Sequence, residues 1–402
     1  MILVSFVRDC VQQLFMGGRY YWSWIFGLNF FILIGLINYF RQYNTGLILT
    51  GMSDQVSWGF YVSNFTYLVG IAAAAVMLVI PAYIFNRPEA KKVVLLGEGL
   101  AVAASLMCIL FVTVDMGRPD RLWHMLPFIG RFNWPMSLLT WDVIVLSGYL
   151  LLNLFMPLYI LFHEYSEKDS NKKFIFIAAV VSMFWAISIH TVTAFLFASN
   201  PARPFWHSAL LAPKFLASAF TAGPAFIILA FRVIDRSDAY RIGHKAIDLL
   251  AAIVAIAMQV NLLMLVSELF TEFYSEGTHS ASARYLFFGL HGFNSLVPWI
   301  YTSILMNIVA AVILMVEKWR RNNTLLSIAC VLAMVGVWIE KGMGFVIPGF
   351  IPTPIGEVFE YGPTWTEIFI SLGIWCAGLL VFTILVKAAI PIQRGRLRYR
   401  PE

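Results

Sequence analysis

Charged residues are scarce in this chain: they make up 12% of its 402 residues, whereas 60% are hydrophobic and the mean hydropathy is +0.78. A composition this apolar excludes an ordinary soluble globular protein. The four cysteines are scattered without a C-x-x-C pair, so the sequence indicates neither an iron–sulfur or zinc site nor a disulfide framework. GxGxxG, P-loop and H-E-x-x-H motifs are also missing, and nothing indicates a nucleotide, flavin or metalloprotease site.

Long apolar runs are what the chain has in abundance. A helix that crosses a membrane needs about 20 mainly apolar residues, and ten runs meet this requirement. They cover approximately 22–40, 56–84, 93–114, 136–163, 174–198, 212–234, 246–274, 283–316, 324–346 and 366–388. Because helices satisfy their own backbone hydrogen bonds in lipid, we expect an all-α polytopic membrane protein with about ten spans.

A short internal similarity suggests how the spans are grouped. NFTYLVGIAAAAV at 64–76 resembles KFLASAFTAGPAF at 214–226, and the two starts are four spans apart, which gives them the same orientation. We therefore expect two four-helix bundles in parallel repeat, with one helix more at each end. The expected units are an interfacial segment and first span at 1–54, a first bundle at 55–211, a second bundle at 212–347, and an outer loop, last span and basic tail at 348–402.

The distribution of basic residues predicts the orientation. When each Lys and Arg is assigned to one side of the membrane, the side with both termini receives 20 and the opposite side 8. By the positive-inside rule, both termini are then cytoplasmic. The outer loops are rich in Pro, Gly and aromatic residues, a composition typical of binding surfaces, so we expect a partner protein to dock there. These loops are 117–135, 199–213 and 346–365.

Five spans each carry one ionisable group at a similar depth, roughly 9–12 Å below the outer helix ends at 1.5 Å per residue. The groups are Asp142, His190, Glu268, His291 and Glu340. Since a charge inside a membrane costs at least ~2.5–3.5 kcal/mol on insertion scales, such groups need a partner or a function. They either lock helices together or line a polar cavity that handles protons or a head group with two carbonyls.

The stretch VDMGRPDRLW at 114–123 is expected to cover this layer. Arg118 precedes a proline, which favours extended backbone and ends the helix. Asp115 would then pair with Arg118 or Arg121, and His124 would complete the lid. Four tryptophans near the cavity could stack on a flat ring, although interfacial and packing roles are more common for this residue type. They are Trp58, Trp123, Trp134 and Trp141.

Several stretches resemble a known family of membrane proteins. SDQVSWGFYVSNFTYLVGIAAAAV (53–76), VDMGRPDRLWHM (114–125) and SLLTWDVIVL (137–146) are similar to the NrfD/polysulfide-reductase (PsrC-like) membrane subunits. The segments 188–220, 285–299 and 339–361 narrow the resemblance to the DsrP-type subunits of the sulfite-reduction-associated DsrMKJOP complex.

The resemblance implies a quinone-reactive subunit of an oxidoreductase complex in a prokaryotic cytoplasmic membrane, inactive alone. Such subunits carry no haem or metal and bind an exchangeable menaquinone on the outer side. The partners it implies are an extracytoplasmic ferredoxin-like iron–sulfur subunit (DsrO-like), a multihaem cytochrome c (DsrJ-like), a haem b membrane subunit (DsrM-like) and a cytoplasmic iron–sulfur subunit (DsrK-like). The complex would link the quinone pool to dissimilatory sulfite metabolism.

A quinol that loses two electrons also loses two protons, so its site needs proton acceptors and hydrogen-bond donors. The candidates for the head-group and proton set are Asp115, Asp142, His190 and His291. The candidates for further quinone contacts are Arg118, Arg121, Trp123, His124, Trp58 and Trp141. The candidates for a proton route are Glu98, Glu268 and Glu340.

Three alternatives fit the same residues. A transporter or ion translocator without a redox role would also contain a polar layer and a repeat. A b-type cytochrome would use His190 and His291 as axial haem ligands. A passive membrane anchor for redox partners would contain the layer only as a structural element.

Overall fold

The structure is a computed structural model that describes residues 2–126, 128–236, 243–274, 277 and 280–400. Within these residues the regular structure is helical, and ten helices are long and apolar enough to cross a membrane. The chain is thus an all-α, multi-pass membrane protein. The spans are Arg19–Thr45, Phe60–Ile84, Val94–Asp115, Leu138–Tyr165, Lys172–Ala198, Leu211–Arg236, His244–Tyr274, Val297–Met315, Asn323–Phe350 and Trp365–Gln393.

Shorter helices precede, interrupt or connect these spans. In chain order the α-helices are α1 (Ile2–Phe15), α2 (Arg19–Thr45), α3 (Phe60–Ala73), α4 (Val76–Val79), α5 (Pro88–Lys91), α6 (Val94–Asp115), α7 (Leu138–Tyr165), α8 (Lys172–Ala198), α9 (Leu211–Arg236), α10 (His244–Tyr274), α11 (Ser280–Phe288), α12 (Val297–Met315), α13 (Glu317–Arg320), α14 (Asn323–Lys341), α15 (Met343–Val346) and α16 (Trp365–Gln393). A π-helical turn, Ile80–Ile84, follows α4, and 3₁₀ turns cover Leu47–Leu49, Pro119–Met125, Pro204–Trp206 and Pro348–Phe350.

The ten predicted spans are confirmed, with one correction. The predicted eighth span, 283–316, is two helices, α11 and α12, separated by a turn. In the turn Gly289 and Gly292 have φ values of 82° and 89°, and His291 has a φ of 53°. The run is apolar on both sides of the turn, so hydropathy alone did not reveal the break. The prediction that His291 lies within a span was therefore wrong, and its side chain is exposed.

Polar side chains fix the start of three spans. Asn171 and Asn322 each accept two backbone N–H bonds at the first turns of α8 and α14. Thr364 and Glu367 form a reciprocal capping box at the start of α16. These caps provide hydrogen-bond acceptors for backbone N–H groups that have no partner within the helix. Such acceptors are needed near lipid, because lipid tails cannot accept hydrogen bonds.

The spans pack into two groups that meet at α3 and α9. In the first group α3, α6, α7 and α8 are neighbours, and in the second α9, α10, α12 and α14. The two similar segments noted in the sequence pack against each other at this junction. A Cβ added to Gly70 would lie 3.3 Å from Ala219 Cα, and one added to Gly223 would lie 2.1 Å from Ala74 Cβ. Small residues thus allow the two groups to approach closely.

The first and last spans pack on each other beside the first group. A Cβ added to Gly35 of α2 would lie 2.8 Å from Gly373 Cα of α16, so the two backbones cross in close contact. Most of the rest of α2 faces outward, and α16 connects it to α6.

Candidate functional site

The first group of helices buries a carboxyl group and an imidazole near one end. Thr193 of α8 donates a hydrogen bond to Asp142 Oδ1 of α7 at 3.2 Å. His190 precedes Thr193 by three residues and thus lies on the same face of α8. Asp142 is 5% exposed and His190 1%. We call these two residues the Asp142–His190 pair.

The hydrogen bonding of His190 leaves one ring nitrogen available. Nδ1 lies 3.1 Å from the carbonyl oxygen of Ala186, so Nδ1 carries the hydrogen that it donates there. Nε2 is buried and has no hydrogen-bond partner among the described residues. A buried polar atom without a partner is costly, and a ligand or a proton would relieve that cost.

The second group of helices buries a cluster of opposite charges. Lys214 of α9 forms an ion pair with Glu268 of α10, and its Nζ lies 3.9 Å from Glu340 Oε1 of α14. Glu340 Oε2 accepts hydrogen bonds from Asn261 Nδ2 at 3.1 Å and Asn307 Nδ2 at 3.0 Å. Glu268 and Glu340, which the sequence placed at similar depths, are thus brought together by a lysine.

A cleft of about 380 Å³, including its open mouth, adjoins this cluster. Lys214, Glu268, Glu272 and Glu340 form its polar part, while leucine and phenylalanine side chains form its apolar walls. A second cavity of about 210 Å³ shares Lys214 and Glu340 with the cleft and reaches Lys341. We call this space the second-group cleft.

Lys214 and Lys341 were missed as site residues, although the signal was present. Both lie within predicted apolar spans, where a charge is as informative as a carboxylate or histidine. The count of basic residues on each side of the membrane assigns both to the outer side. The structure places both inside helices and largely buried.

The predicted lid has a different pairing. Arg118 forms two hydrogen bonds of 3.0 Å with Asp120, and this bonding lowers the pKa of the Asp120 carboxyl group. The prediction that Asp115 pairs with Arg118 or Arg121 was wrong, because a two-residue spacing in the turn favours the local Arg118–Asp120 contact. Arg121, like Trp123 and His124, is exposed in the same 3₁₀ turn, and the rings of Trp123 and His124 are 3.9 Å apart.

Asp115 instead faces a polar cluster that the sequence did not reveal. Glu367 is fully buried and accepts hydrogen bonds from Tyr361 Oη at 2.5 Å and Gly51 N at 2.8 Å. Burial and the neighbouring Glu367 carboxylate raise the pKa of Tyr361. Asp115 lies within electrostatic range of Glu367, and its Oδ1 has no hydrogen-bond partner among the described residues. The members of this cluster come from distant parts of the chain.

The remaining candidates lie apart from these groups or are engaged in packing. Trp58 stacks on Trp206 with ring centroids 5.6 Å apart, and Trp141 Nε1 donates to the Pro135 carbonyl oxygen at 2.8 Å. Trp134 packs on Trp141, with centroids 5.5 Å apart.

Glu98 is buried near the opposite end of α6 from Asp115, roughly 25 Å along the helix at 1.5 Å per residue. Its Oε2 has no hydrogen-bond partner among the residues that the structure describes, and the same is true of Tyr83 Oη and Tyr149 Oη. Glu98 therefore belongs to neither the Asp142–His190 pair nor the second-group cleft.

The haem alternative required two histidines at one depth. His190 is buried within α8, whereas His291 is exposed in the turn before α12, so the two do not form the expected pair. In the described part of the chain, no group of three or more His, Cys, Asp or Glu side chains is placed to hold a metal ion.

Ten apolar helices with ionisable side chains buried among them define a polytopic membrane protein with polar sites inside the membrane. The family model described as polysulphide reductase, NrfD, matches residues 48–349, and the chain belongs to this family.

Three relatives are similar over most of their length. They are a selenate reductase subunit of Mesobacillus selenatarsenatis (22% identical, covering 90% of this chain and 92% of the relative), the Hdr-like menaquinol oxidoreductase integral membrane subunit of Archaeoglobus fulgidus (25%, 89% and 91%) and the menaquinone reductase integral membrane subunit of Nitratidesulfovibrio vulgaris (23%, 87% and 87%). These relatives are subunits of oxidoreductases, and two are named for menaquinol or menaquinone.

Proposed function

We propose that the protein is the quinone-interacting membrane subunit of a multi-subunit respiratory redox complex. It exchanges electrons between menaquinone or menaquinol and an extracytoplasmic iron–sulfur subunit. The observation that carries the proposal is the Asp142–His190 pair: the buried His190 Nε2 lacks a partner, and the residue one turn further along α8, Thr193, holds a buried carboxyl group. The family and the two menaquinone-linked relatives support the same function.

The pair supplies the groups that a quinone head group needs. When bound, the quinol supplies two electrons and two protons, or the quinone takes them up. His190 Nε2 either accepts a proton from a ring hydroxyl or, when protonated, donates a hydrogen bond to a ring carbonyl. Asp142 serves as a second proton acceptor, and Thr193 holds its Oδ1 in place.

Electrons leave or enter through a partner at the face that carries the three Pro-, Gly- and aromatic-rich loops. In the loop 117–135 and directly after it, several large apolar side chains are more than half exposed: Trp123, Phe128, Ile129, Trp134 and Met136. Clustered exposed apolar residues mark protein interaction sites. We place the iron–sulfur partner on this face and, from the distribution of basic residues, on the extracytoplasmic side of a prokaryotic cytoplasmic membrane.

The finer assignment is to a DsrP-type subunit that acts in dissimilatory sulfite metabolism. Its partners would then be the DsrO-like, DsrJ-like, DsrM-like and DsrK-like subunits, and the subunit would be inactive alone. The long segments 188–220 and 339–361 support this assignment. Glu268, Glu340 and Glu98 remain the proposed proton route.

A second function, proton or ion translocation without quinone chemistry, is favoured by one observation. The ionisable side chains of Lys214, Glu268 and Glu340 lie within spans and adjoin an open cleft. Ionisable residues in such a position are typical of ion pathways through a membrane.

A photoreactive menaquinone analogue would distinguish the two functions. Irradiated with the purified intact complex, it should label the segment around Asp142 or that around His190, and excess menaquinone should compete. His190→Leu should reduce the labelling at least fivefold, because it removes the polar contact. Labelling that is confined to other subunits, or that His190→Leu does not change, would contradict the proposed quinone site.

A further inference from the structure

A second buried lysine lies between the two groups of helices. Lys341, the last residue of α14, is 4% exposed. Its ammonium group donates to the Phe215 carbonyl oxygen at 3.3 Å and lies 4.3 Å from the centre of the Phe215 ring. Among the described residues, no carboxylate oxygen lies within 4.0 Å of this nitrogen. A buried cation without a close counter-ion is costly, which indicates a function beyond packing.

On one side Lys341 faces the second-group cleft. Lys341 lines the inner cavity together with Lys214, Ser218 and Glu340. Lys214 and Glu340 also line the outer part of the cleft, so the two spaces meet at these side chains. Glu272, on the outer part, has one carboxylate oxygen without a hydrogen-bond partner among the described residues. A series of ionisable groups thus connects Lys341 with the mouth of the cleft.

On the other side Lys341 contacts the first group of helices. Its backbone carbonyl oxygen accepts a hydrogen bond from Thr66 of α3 at 3.3 Å, and a Cβ added to Gly70 of α3 would lie 3.4 Å from its Nζ. His190 of α8 lies within electrostatic range of the ammonium group. Lys341 therefore lies at the junction of the two groups of helices, of which the first carries the Asp142–His190 pair and the second carries the cleft.

We propose that Lys341 transfers protons between the Asp142–His190 pair and the second-group cleft, which connects the quinone site with the surface. This inference depends on the proposed function. During quinol oxidation the Lys341 ammonium gives one proton to the Glu340 carboxylate through water in the inner cavity that both side chains line, and becomes a neutral amine. The amine then takes one proton from the imidazolium at His190 Nε2, which returns to neutral imidazole. Quinone reduction reverses both transfers.

Beyond Lys341 the route continues through residues that are already in contact. Glu340 and Glu268 both form ion pairs with Lys214, whose fixed positive charge stabilises a carboxylate on either side. Glu272 lies one turn beyond Glu268 on α10, closer to the mouth. The proton can therefore pass from one carboxylate to the next through water in the cleft that they line, while Lys214 stays charged.

The test uses the purified intact complex with a menaquinol analogue and follows steady-state reduction of the partner's redox centres. Lys341→Met should lower turnover at least tenfold while KM stays within twofold of wild type, because quinol binding does not need the route. Lys341→Arg should be slowed similarly, since arginine keeps the charge but does not release a proton. Glu340→Gln should also be slowed, and Lys387→Met, a lysine of α16 outside the route, should behave as wild type.

Methylamine supplies a readout that a structural role would not change. As a small proton carrier it should restore part of the turnover of Lys341→Met and none of that of Lys341→Arg. Full activity in Lys341→Met, or wild-type turnover in Lys341→Arg, would overturn the inference. If Lys341→Met does not assemble, Lys341→Arg and Glu340→Gln provide the test: slowed turnover in both supports the inference, and wild-type turnover in both overturns it. Failure of the proposed function itself is distinguishable, because His190→Leu would then leave quinol-driven reduction intact.

Discussion

Replacing Lys214 by methionine is expected to destabilise the protein by about 3–5 kcal/mol, the usual cost of removing one partner from a buried ion pair. The change leaves the carboxylates of Glu268 and Glu340 without their shared cation. Glu340 keeps its bonds to Asn261 and Asn307, which reduce the loss without cancelling it. Equilibrium unfolding in mixed micelles measures the difference in the free energy of unfolding.

A charge-neutral variant provides the matched control for Lys214→Met. The triple variant Lys214→Met, Glu268→Gln, Glu340→Gln removes all three charges and should recover most of the lost stability, since it leaves no unpaired ion. An unfolding free energy of Lys214→Met within about 0.5 kcal/mol of wild type would mean that the cluster does not stabilise the second group of helices.

Gly35→Leu is expected to separate the first and last spans, at a cost of about 1–3 kcal/mol typical of overpacking, or more. A Cβ at Gly35 would lie 2.8 Å from Gly373 Cα and 3.2 Å from the Phe369 carbonyl oxygen, which are backbone atoms that cannot move aside. Since α2 is otherwise little buried, it has few other contacts with which to remain in place. Unfolding in mixed micelles measures the cost, and faster proteolysis near α2 reports the separation.

Gly27→Leu is the control in the same helix. A Cβ at Gly27 meets no atom within 4 Å, so leucine there should face lipid and change stability by less than about 0.5 kcal/mol. Equal effects of the two substitutions would show that the crossing with α16 is not what Gly35→Leu disrupts.

The sequence predicted the spans well because each is a local property. A run of about 20 apolar residues is sufficient to identify a membrane helix. The wrong placement of His291 within a span has the same cause, because a hydropathy profile cannot reveal a turn between two apolar segments. The turn depends on the positive φ values of Gly289 and Gly292, and counting apolar residues does not predict backbone conformation.

The candidate site was predicted in part, and the missing part depends on tertiary structure. Equal depth placed Glu268 and Glu340 in one layer, but their actual link is Lys214, on a third helix. Asp115 was paired with its nearest arginines along the chain, whereas the fold places it near Glu367, about 250 residues away in sequence. Depth along a helix can be read from the sequence, whereas the rotation and neighbours of that helix require the packed structure.

The most direct test of the central proposal is the rate at which a menaquinol analogue reduces the redox centres of the partner subunits in the intact complex. Asp142→Asn and His190→Leu should each lower this rate at least about 100-fold, the lower range for loss of a general acid–base group. His163→Leu is the matched control. The Nδ1 atoms of His163 and His190 each bond the carbonyl oxygen four residues earlier in their own helix, Tyr159 at 2.8 Å in the case of His163. His163, however, lies near the other end of α7, far from the Asp142–His190 pair. Rates within twofold of wild type in both site variants would contradict a quinone site at the Asp142–His190 pair.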